Sequence, residues 1–129
     1  APSTSAAAPA PSYASGSAQG AVGFALAQVG KAYAWGATGP DAYDCSGLMV
    51  AAYQSVGISL PRTSGAMMSA GYAVSQAELQ PGDLIISYGG GHVGMYIGNG
   101  QMVHSATYGV GVTVDSISGY SIDAMRRVA

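Results

Sequence analysis

Residues 81–116 have the sequence PGDLIISYGGGHVGMYIGNGQMVHSATYGVGVTVDS, in which short β-rich runs alternate with glycine-rich turns. This pattern predicts antiparallel strands that follow one another as a meander, and residues 125–129, MRRVA, suggest a last edge strand. Upstream, apolar residues recur at helical spacing, which predicts helices from about residue 19, over 45–56 and over about 63–70. Helices followed by a meander, without strand–helix–strand alternation, predict an α+β domain.

Length and charge exclude several classes of protein. The chain has 129 residues, enough for one domain with its own core but not for two. Its formal net charge is −2 and it has only four Lys and Arg residues, so it lacks a basic surface for nucleic acid. No apolar run approaches the roughly 18 residues that a membrane span requires. We therefore expect a monomeric domain that neither binds nucleic acid nor spans a membrane.

The first residues differ in composition from the rest of the chain. Residues 1–18 are mostly Ala, Pro and Ser, which bury too little apolar surface to offset the entropy of ordering. We expect residues 1–18 to form a flexible tether and residues 19–129 to form the globular domain.

Cys45 is the single cysteine, so it forms no internal disulfide and is buried filler, a metal ligand or a reactive thiol. Asp44 is a natural N-cap, which places Cys45 in the first turn of the helix predicted at 45–56. Unpaired backbone N–H groups and the positive end of the helix dipole favour a thiolate at that position. The placement therefore suggests a nucleophile.

The chain has two histidines, His92 and His104, on neighbouring predicted strands. Their relative position depends on the turn between the strands. A two-residue turn at 99–100 would pair His104 with Met95 and point it away from His92. A three-residue loop would pair His104 with Gly94 instead, on the face of His92 and with room left by the glycine. The sequence leaves both registers open.

Only the second register makes a relay of Cys45, His92 and His104. The thiol would attack a carbonyl, His92 would hold the thiol proton and later protonate the leaving amine, and His104 would orient His92. One cysteine and two histidines could instead ligate zinc, but the chain has no C-x-x-C or H-x-x-x-H spacing and a fourth ligand is missing. We therefore expect no metal and no cofactor.

The strings YAWGATGPDAYDCSGL, LPRTS, QPGDLI and HVGMYIGNGQMVHSA occur in this order between about residues 22 and 115. Together they resemble the signatures of NlpC-type (NlpC/p60) cell-wall peptidases, papain-like cysteine hydrolases of bacterial peptidoglycan. The resemblance implies a papain-like fold with the nucleophile at a helix N-terminus packed on an antiparallel sheet. It implies that Cys45 is the nucleophile, His92 the general base and His104 the third, orienting member.

The same resemblance implies substrate-binding roles near the nucleophile. Tyr33 would lie beside Cys45 and help to bind substrate or the oxyanion. Asp44 and Ser46 would help to recognise a free amino terminus of a stem peptide, since a carboxylate suits an ammonium partner. Both residues can equally serve as helix-capping groups.

Three further residues near these motifs have a structural interpretation. We expect Trp35 to pack within the domain rather than to form a substrate platform. Arg62 in LPRTS is expected to hold a loop in preference to binding a substrate carboxylate. Ala37 departs from the family pattern, which commonly has a second glycine after WG, and this changes the expected shape of the subsite.

The resemblance implies hydrolysis of a peptidoglycan stem peptide through an acyl-enzyme, at the bond from the γ-carboxyl of D-glutamate to diaminopimelate. It also implies an exported domain, secreted or associated with the bacterial cell wall, with stem peptides as its partners. Two alternatives remain open. The domain could bind peptidoglycan without cleaving it, or it could be a thiol amidase or acyltransferase acting on another wall amide.

Overall fold

The computed structural model describes residues 15–129, and in this part of the chain three α-helices and eight strands occur. The helices are α1 (Gly16–Ala27), α2 (Cys45–Gln54) and α3 (Ser64–Met67). The strands are β1 (Ala32–Tyr33), β2 (Ala42–Tyr43), β3 (Tyr72–Ala73), β4 (Leu84–Ser87), β5 (His92–Gly98), β6 (Gln101–Ser105), β7 (Val112–Ser116) and β8 (Ile122–Arg127). Among the helices of this described part, none has the length and apolarity that crossing a membrane requires.

Helix α1 starts earlier than predicted. Ser15 is its N-cap, and the Ser15 side-chain oxygen accepts a hydrogen bond from the Ala18 N–H at 3.0 Å. Ala18 is fully buried and packs against Gly82. The tether prediction is therefore wrong for residues 16–18, because the Ser15 cap and the burial of Ala18 stabilise a first helical turn that composition alone does not reveal. The rest of that prediction, residues 1–14, lies outside the described residues.

The strands of the described part form a six-stranded antiparallel sheet and a small parallel pair, β1 with β2. The order in the large sheet is β3-β8-β4-β5-β6-β7, so β4 to β7 form the predicted meander. Helices α2 and α3 precede this meander along the chain. The arrangement confirms the predicted α+β class.

The prediction of an edge strand at residues 125–129 is wrong in position. Strand β8 begins at Ile122 and lies between two other strands: Met125 pairs with Ile85 of β4, and Arg127 pairs with Tyr72 of β3. Strand β3 has only two residues, too few for any periodicity to reveal it. Sequence pattern therefore could not show that β8 has a neighbour on each side.

The helices cover one face of the large sheet. Helix α2 packs against both α1 and β5, and its Leu48 and Met49 are fully buried in one core cluster with Val93 and Met95 of β5. The other face buries a smaller apolar cluster that includes Met102. The first turn of α2 is thereby held against the strand that begins with a histidine.

The hairpin between β5 and β6 combines features of both predicted registers. Its turn has two residues, Asn99 and Gly100, with φ angles of 55° and 71°, as a type I′ turn requires. A β-bulge at Ile97 shifts the pairing by one residue, so that Val103 pairs with Met95. The two-residue turn is therefore correct, but the register that it was expected to impose is wrong.

This register places His104 opposite Gly94 and on the face of His92. A Cβ atom at Gly94 would lie 3.1 Å from the Cβ of His104 and 2.6 Å from the sulfur of Met102. Glycine is therefore required for β6 to approach this closely. Of the two registers that the sequence left open, the one that puts His92 and His104 on one face therefore occurs, and a bulge rather than a three-residue loop brings it about.

Candidate active site

Cys45 lies in the first turn of α2, as predicted, and its thiol is half-buried. The Asp44 carboxylate caps this turn by accepting the Gly47 N–H at 2.5 Å. It also accepts the Gly36 N–H at 2.9 Å. One carboxylate thereby ties the loop before the helix to the start of the helix.

Three donors surround the thiol of Cys45: the backbone N–H groups of Val93 and Ser46 and the hydroxyl of Ser64. Each would stabilise a thiolate, as expected at a helix N-terminus. Burial has the larger effect, however, and together with the nearby Asp44 charge it raises the pKa of Cys45 above its ordinary value. The resting group is therefore a thiol, although the donors at the helix N-terminus favour the thiolate as expected.

The imidazoles of His92 and His104 are in direct contact. Nε2 of His92 lies 2.7 Å from Nδ1 of His104, and the ring planes meet at 80°. His104 is fully buried. Burial and the neighbouring His104 together lower the pKa of His92 to about 4, so His92 is neutral at pH 7. A neutral imidazole beside a thiol is the state that a general base requires.

The Cys45 thiol lies close to the start of strand β5, where His92 is located, but it is not hydrogen-bonded to the imidazoles. Val93, whose N–H contacts the thiol, directly follows His92 in β5. Among residues 15–129, no hydrogen bond links the Cys45 thiol to either imidazole. Catalytic hydrogen bonds are often long in unliganded sites and tighten in the substrate complex.

Asp115 extends the line of contacts beyond His104, and no sequence motif had singled out this residue. Its Oδ2 atom lies 2.7 Å from Nε2 of His104. In the pairing of β6 with β7, His104 faces Thr113, so Asp115 is its diagonal neighbour on the same face. An aspartate within a predicted strand carries no signal by itself. Only a known register between β6 and β7 could have identified this residue.

Arg62 connects the chain at α3 to the first turn of α2. Its Nη2 atom lies 2.9 Å from Oδ2 of Asp44, and its Nη1 atom lies 2.7 Å from Oγ of Ser46. Burial opposes the ionisation of Asp44, but the hydrogen bonds from Arg62, Gly47 and Gly36 outweigh it and lower the pKa of Asp44. Arg62 therefore has the loop-holding contacts expected of it.

A cleft opens beside the thiol of Cys45. It is bounded by the loop before α2, the first turn of α2, the start of α3 and the glycine before His92. The lining residues are Tyr33, Trp35, Gly36, Asp44, Cys45, Ser46, Arg62, Thr63, Ser64 and Gly91. All three predicted substrate-binding residues are among them, so the cleft is where a substrate would meet the nucleophile.

Trp35 was expected to pack within the domain, but it is 82% exposed. That prediction is wrong. Its backbone N–H donates to the Tyr108 hydroxyl at 2.9 Å. Tyr108 in turn packs edge-on against Tyr33, with ring centroids 4.8 Å apart. Contacts of the backbone therefore hold this turn in place and leave the indole free at the mouth of the cleft.

The nitrogen atoms of the histidines do not converge on a point where a metal could bind. Nε2 of His92 and Nδ1 of His104 face each other, and the remaining nitrogen of His104 contacts Asp115. Within residues 15–129, no three His, Cys, Asp or Glu side chains form a group that could hold a metal ion. The groups are arranged in a line, which suits proton transfer.

A cysteine at a helix N-terminus, packed against an antiparallel sheet that carries linked imidazoles, defines a papain-like α+β domain. The sequence pattern of the NlpC/P60 family matches residues 30–128. The chain belongs to the NlpC/P60 family.

Similar proteins occur in several bacteria. The chain is 51% identical over 106 residues to the protein named "Probable endopeptidase Rv2190c" from Mycobacterium tuberculosis, a match that covers 79% of this chain and 27% of that protein. It is 51% identical over 85 residues to "Probable endopeptidase p60" from Listeria seeligeri, covering 64% of this chain and 16% of that protein. The match thus spans about a quarter of the length of the first relative and about a sixth of the second.

Solved structures confirm the fold. NlpC1 from Trichomonas vaginalis matches with a TM-score of 0.82 and 32% sequence identity, covering 91% of this chain and 45% of that chain. The peptidoglycan hydrolase RipB from Mycobacterium tuberculosis matches with a TM-score of 0.77 and 35% identity, covering 87% of this chain and 64% of that chain.

Proposed function

We propose that this chain is a peptidoglycan endopeptidase domain that cleaves stem peptides with Cys45 as nucleophile. The observation that carries the proposal is the 2.7 Å contact between His92 and His104, beside a cysteine in the first turn of a helix. The similar proteins support the substrate class, because their names include endopeptidases and a peptidoglycan hydrolase. The domain would act outside the cell or at the bacterial cell wall, where this substrate is found.

In the proposed mechanism, the thiol loses its proton only when it attacks. For His92 to accept that proton, Nδ1 of His92 must be free, so Nε2 carries hydrogen and donates to Nδ1 of His104. The raised pKa of Cys45 and the lowered pKa of His92 both favour this neutral pair at rest. Proton transfer and attack on the carbonyl carbon therefore occur together.

Acylation then breaks the scissile amide. The Cys45 sulfur bonds to the carbonyl carbon, and the Cys45 backbone N–H, at the start of helix α2, would stabilise the resulting oxyanion. As the C–N bond breaks, His92 returns the proton to the leaving amine, and a thioester remains on Cys45. Water attacks the thioester, His92 takes a proton from that water, and this proton returns to the thiolate that is released.

We further propose that the cleaved amide joins the γ-carboxyl of D-glutamate to diaminopimelate. In this proposal Tyr33, Asp44 and Ser46 recognise the stem peptide on the amino-terminal side of the scissile bond. Asp44 already accepts hydrogen bonds from Gly36, Gly47 and Arg62, so it would attract a substrate ammonium as part of a preformed charged network. The position of all three residues on the cleft wall supports this assignment.

Digestion of purified sacculi tests the proposal. The chain and its Cys45→Ala variant would be incubated with sacculi, and released fragments would be identified by mass spectrometry. We expect fragments with a new amino terminus on diaminopimelate from the parent chain and none from the variant. Both samples would first be compared by circular dichroism, so that a loss of activity is assigned to the thiol and not to unfolding.

Other outcomes would point to the alternatives. Sedimentation of the chain with sacculi, without released fragments, would indicate a binding module. A new terminus at the bond to the sugar would indicate an amidase, and a fragment joined to an added amine would indicate an acyltransferase. Release by Cys45→Ala equal to that by the parent chain would rule out the thiol mechanism.

A further inference from the structure

We propose that Asp115 is a positioning residue that sets the proton positions on both imidazoles, and that Tyr120 holds Asp115 in place. This inference rests on the proposed function and extends its relay from two imidazoles to a carboxylate. Four groups would then act in a line: the thiol of Cys45, His92, His104 and the Asp115 carboxylate.

His104 is fully buried, so both of its ring nitrogens need partners inside the protein. Nδ1 faces Nε2 of His92 at 2.7 Å, and Nε2 faces Oδ2 of Asp115 at 2.7 Å. Both contacts have the length of a good hydrogen bond. The His104 ring therefore connects His92 to Asp115 directly. In a neutral ring, hydrogen on one nitrogen makes the other nitrogen an acceptor.

A carboxylate can only accept hydrogen bonds. Facing Asp115, Nε2 of His104 must therefore carry hydrogen, and in the neutral ring Nδ1 is then an acceptor. That acceptor requires hydrogen on Nε2 of His92, which leaves Nδ1 of His92 unprotonated and able to act as a base. The hydrogen bond to Asp115 thus sets the tautomer of His104 and, through it, that of His92. This leaves Nδ1 of His92 able to accept the thiol proton.

Tyr120 lies beside three of the four members of this line: His92, His104 and Asp115. Its ring is nearly parallel to that of His92, at 16° with centroids 6.0 Å apart, and perpendicular to that of His104, at 90° and 5.5 Å. The Tyr120 hydroxyl lies 3.4 Å from Nε2 of His104, and burial together with the nearby Asp115 raises the pKa of Tyr120. Since Nε2 already donates to the carboxylate, we expect the hydroxyl to donate to Asp115 and fix its orientation.

Exposure separates this role from a purely structural one. The Asp115 side chain is 46% exposed, whereas the His104 side chain is completely buried. Ion pairs with one exposed partner add little to stability because water screens them. The larger consequence of Asp115 is therefore the tautomer of the buried ring, which exposure does not diminish.

The test compares Asp115→Asn with Asp115→Glu and with Asp41→Asn, a matched control that removes a charge from an exposed aspartate outside the relay. An amide keeps the size of the side chain but can donate to Nε2 of His104 and so reverse the chain of hydrogen bonds. We expect Asp115→Asn to lower kcat by about ten- to a hundredfold, with a smaller change in KM. We expect Asp115→Glu, which retains a carboxylate, to recover part of this loss.

A second readout does not depend on activity. Long-range 1H–15N correlation spectra of histidine-labelled protein report which ring nitrogen carries hydrogen. In the parent chain we expect hydrogen on Nε2 of both His92 and His104, and in Asp115→Asn we expect the opposite tautomer or a mixture. Tyr120→Phe, which keeps the ring and removes the hydroxyl, should lower kcat by about two- to tenfold.

The two readouts separate this inference from the proposed function. If sacculi are not cleaved but the tautomers change in Asp115→Asn, the proposed function fails and the role of Asp115 in proton placement stands. If the tautomers are unchanged and kcat equals that of Asp41→Asn, the inference is wrong while the thiol mechanism stands. Should Asp115→Asn not fold, unchanged kcat and tautomers in Tyr120→Phe would overturn it equally.

Discussion

The nucleophile and the base of the candidate site lie in regions that are stabilised in different ways. In the nucleophile region, residues 33–64, the Asp44 carboxylate collects hydrogen bonds from Gly36, Gly47 and Arg62, all within 18 positions of it along the chain. In the base region, residues 92–120, the contacts join separate strands and depend on their register. One region is organised by a single charged residue and the other by backbone pairing.

The two regions also differ in whether their central ionisable group is charged. Asp44 is ionised, because hydrogen bonds from Arg62, Gly47 and Gly36 outweigh the effect of burial and lower its pKa. The base region keeps His92 neutral, because burial and His104 both disfavour its protonation. The nucleophile region should therefore be sensitive to the loss of one side chain. The base region should be sensitive to displacement of its strands and to acid.

The largest effect is expected from Asp44→Ala in the nucleophile region. The change removes the N-cap of α2, leaves the N–H groups of Gly36 and Gly47 without their acceptor and breaks the ion pair with Arg62, which should lower the free energy of unfolding by about 3 kcal/mol. Urea denaturation would measure it, with Asp41→Ala as the control for an equal loss of charge. Equal stability of the two variants would show that Asp44 does not organise this region.

Gly94→Ala tests the base region. Its new methyl group would lie 2.6 Å from the Met102 sulfur and 3.1 Å from the Cβ of His104. We expect a loss of about 2 kcal/mol in unfolding free energy and slower hydrolysis, because strand β6 and its histidine must move. Gly119→Ala is the control, since a Cβ there meets no atom within 4 Å. Hydrolysis by Gly94→Ala at the parent rate would mean that this close approach is not needed.

Acid should destabilise the protein through the base region. The pKa of His92 is about 4 in the folded state and about 6.5 in an unfolded chain, so only the unfolded state binds this proton in between. The free energy of unfolding should therefore fall as the pH drops from 6.5 to 4, by about 1.5 kcal/mol after allowance for partial exposure.

Denaturation of the parent chain and of His92→Gln at several pH values would measure this contribution. The slope between pH 6.5 and 4 should be smaller in the variant, because glutamine binds no proton. Asp44 also loses stabilising contacts in acid, but its lowered pKa confines that effect to pH values below about 4. Parallel slopes in the two proteins would contradict the assignment to His92.

The smallest effect on stability is expected from Trp35→Ala at the edge of the nucleophile region. Because the indole is 82% exposed, its loss should change the free energy of unfolding by less than about 0.5 kcal/mol. If the indole contacts substrate across the cleft, KM for a stem peptide should rise while kcat changes little. The control is Leu26→Ala, a partly exposed apolar residue on α1. Equal KM values in the two variants would exclude such a contact.

Much of the nucleophile region could be predicted from sequence because its determinants are neighbours along the chain. An aspartate before a cysteine and a helical pattern place the thiol in a first helical turn. The α+β class followed from the order of helical and strand patterns. Properties that depend on the tertiary surroundings of a residue were harder to predict. Trp35 is exposed and not packed within the domain. Burial raises the pKa of Cys45 although the helix N-terminus favours the thiolate.

The sequence by itself thus determined the fold class, the position of Cys45 and the presence of two histidines on adjacent strands, because each depends on local propensity and periodicity. The tertiary structure alone decided that a bulge at Ile97 places His104 opposite Gly94, and that Asp115 completes the line of contacts. Strand register is set by packing between segments distant in the chain. Turn length predicts a register locally, but the bulge at Ile97 changes that register, and no local pattern in this sequence marks the bulge.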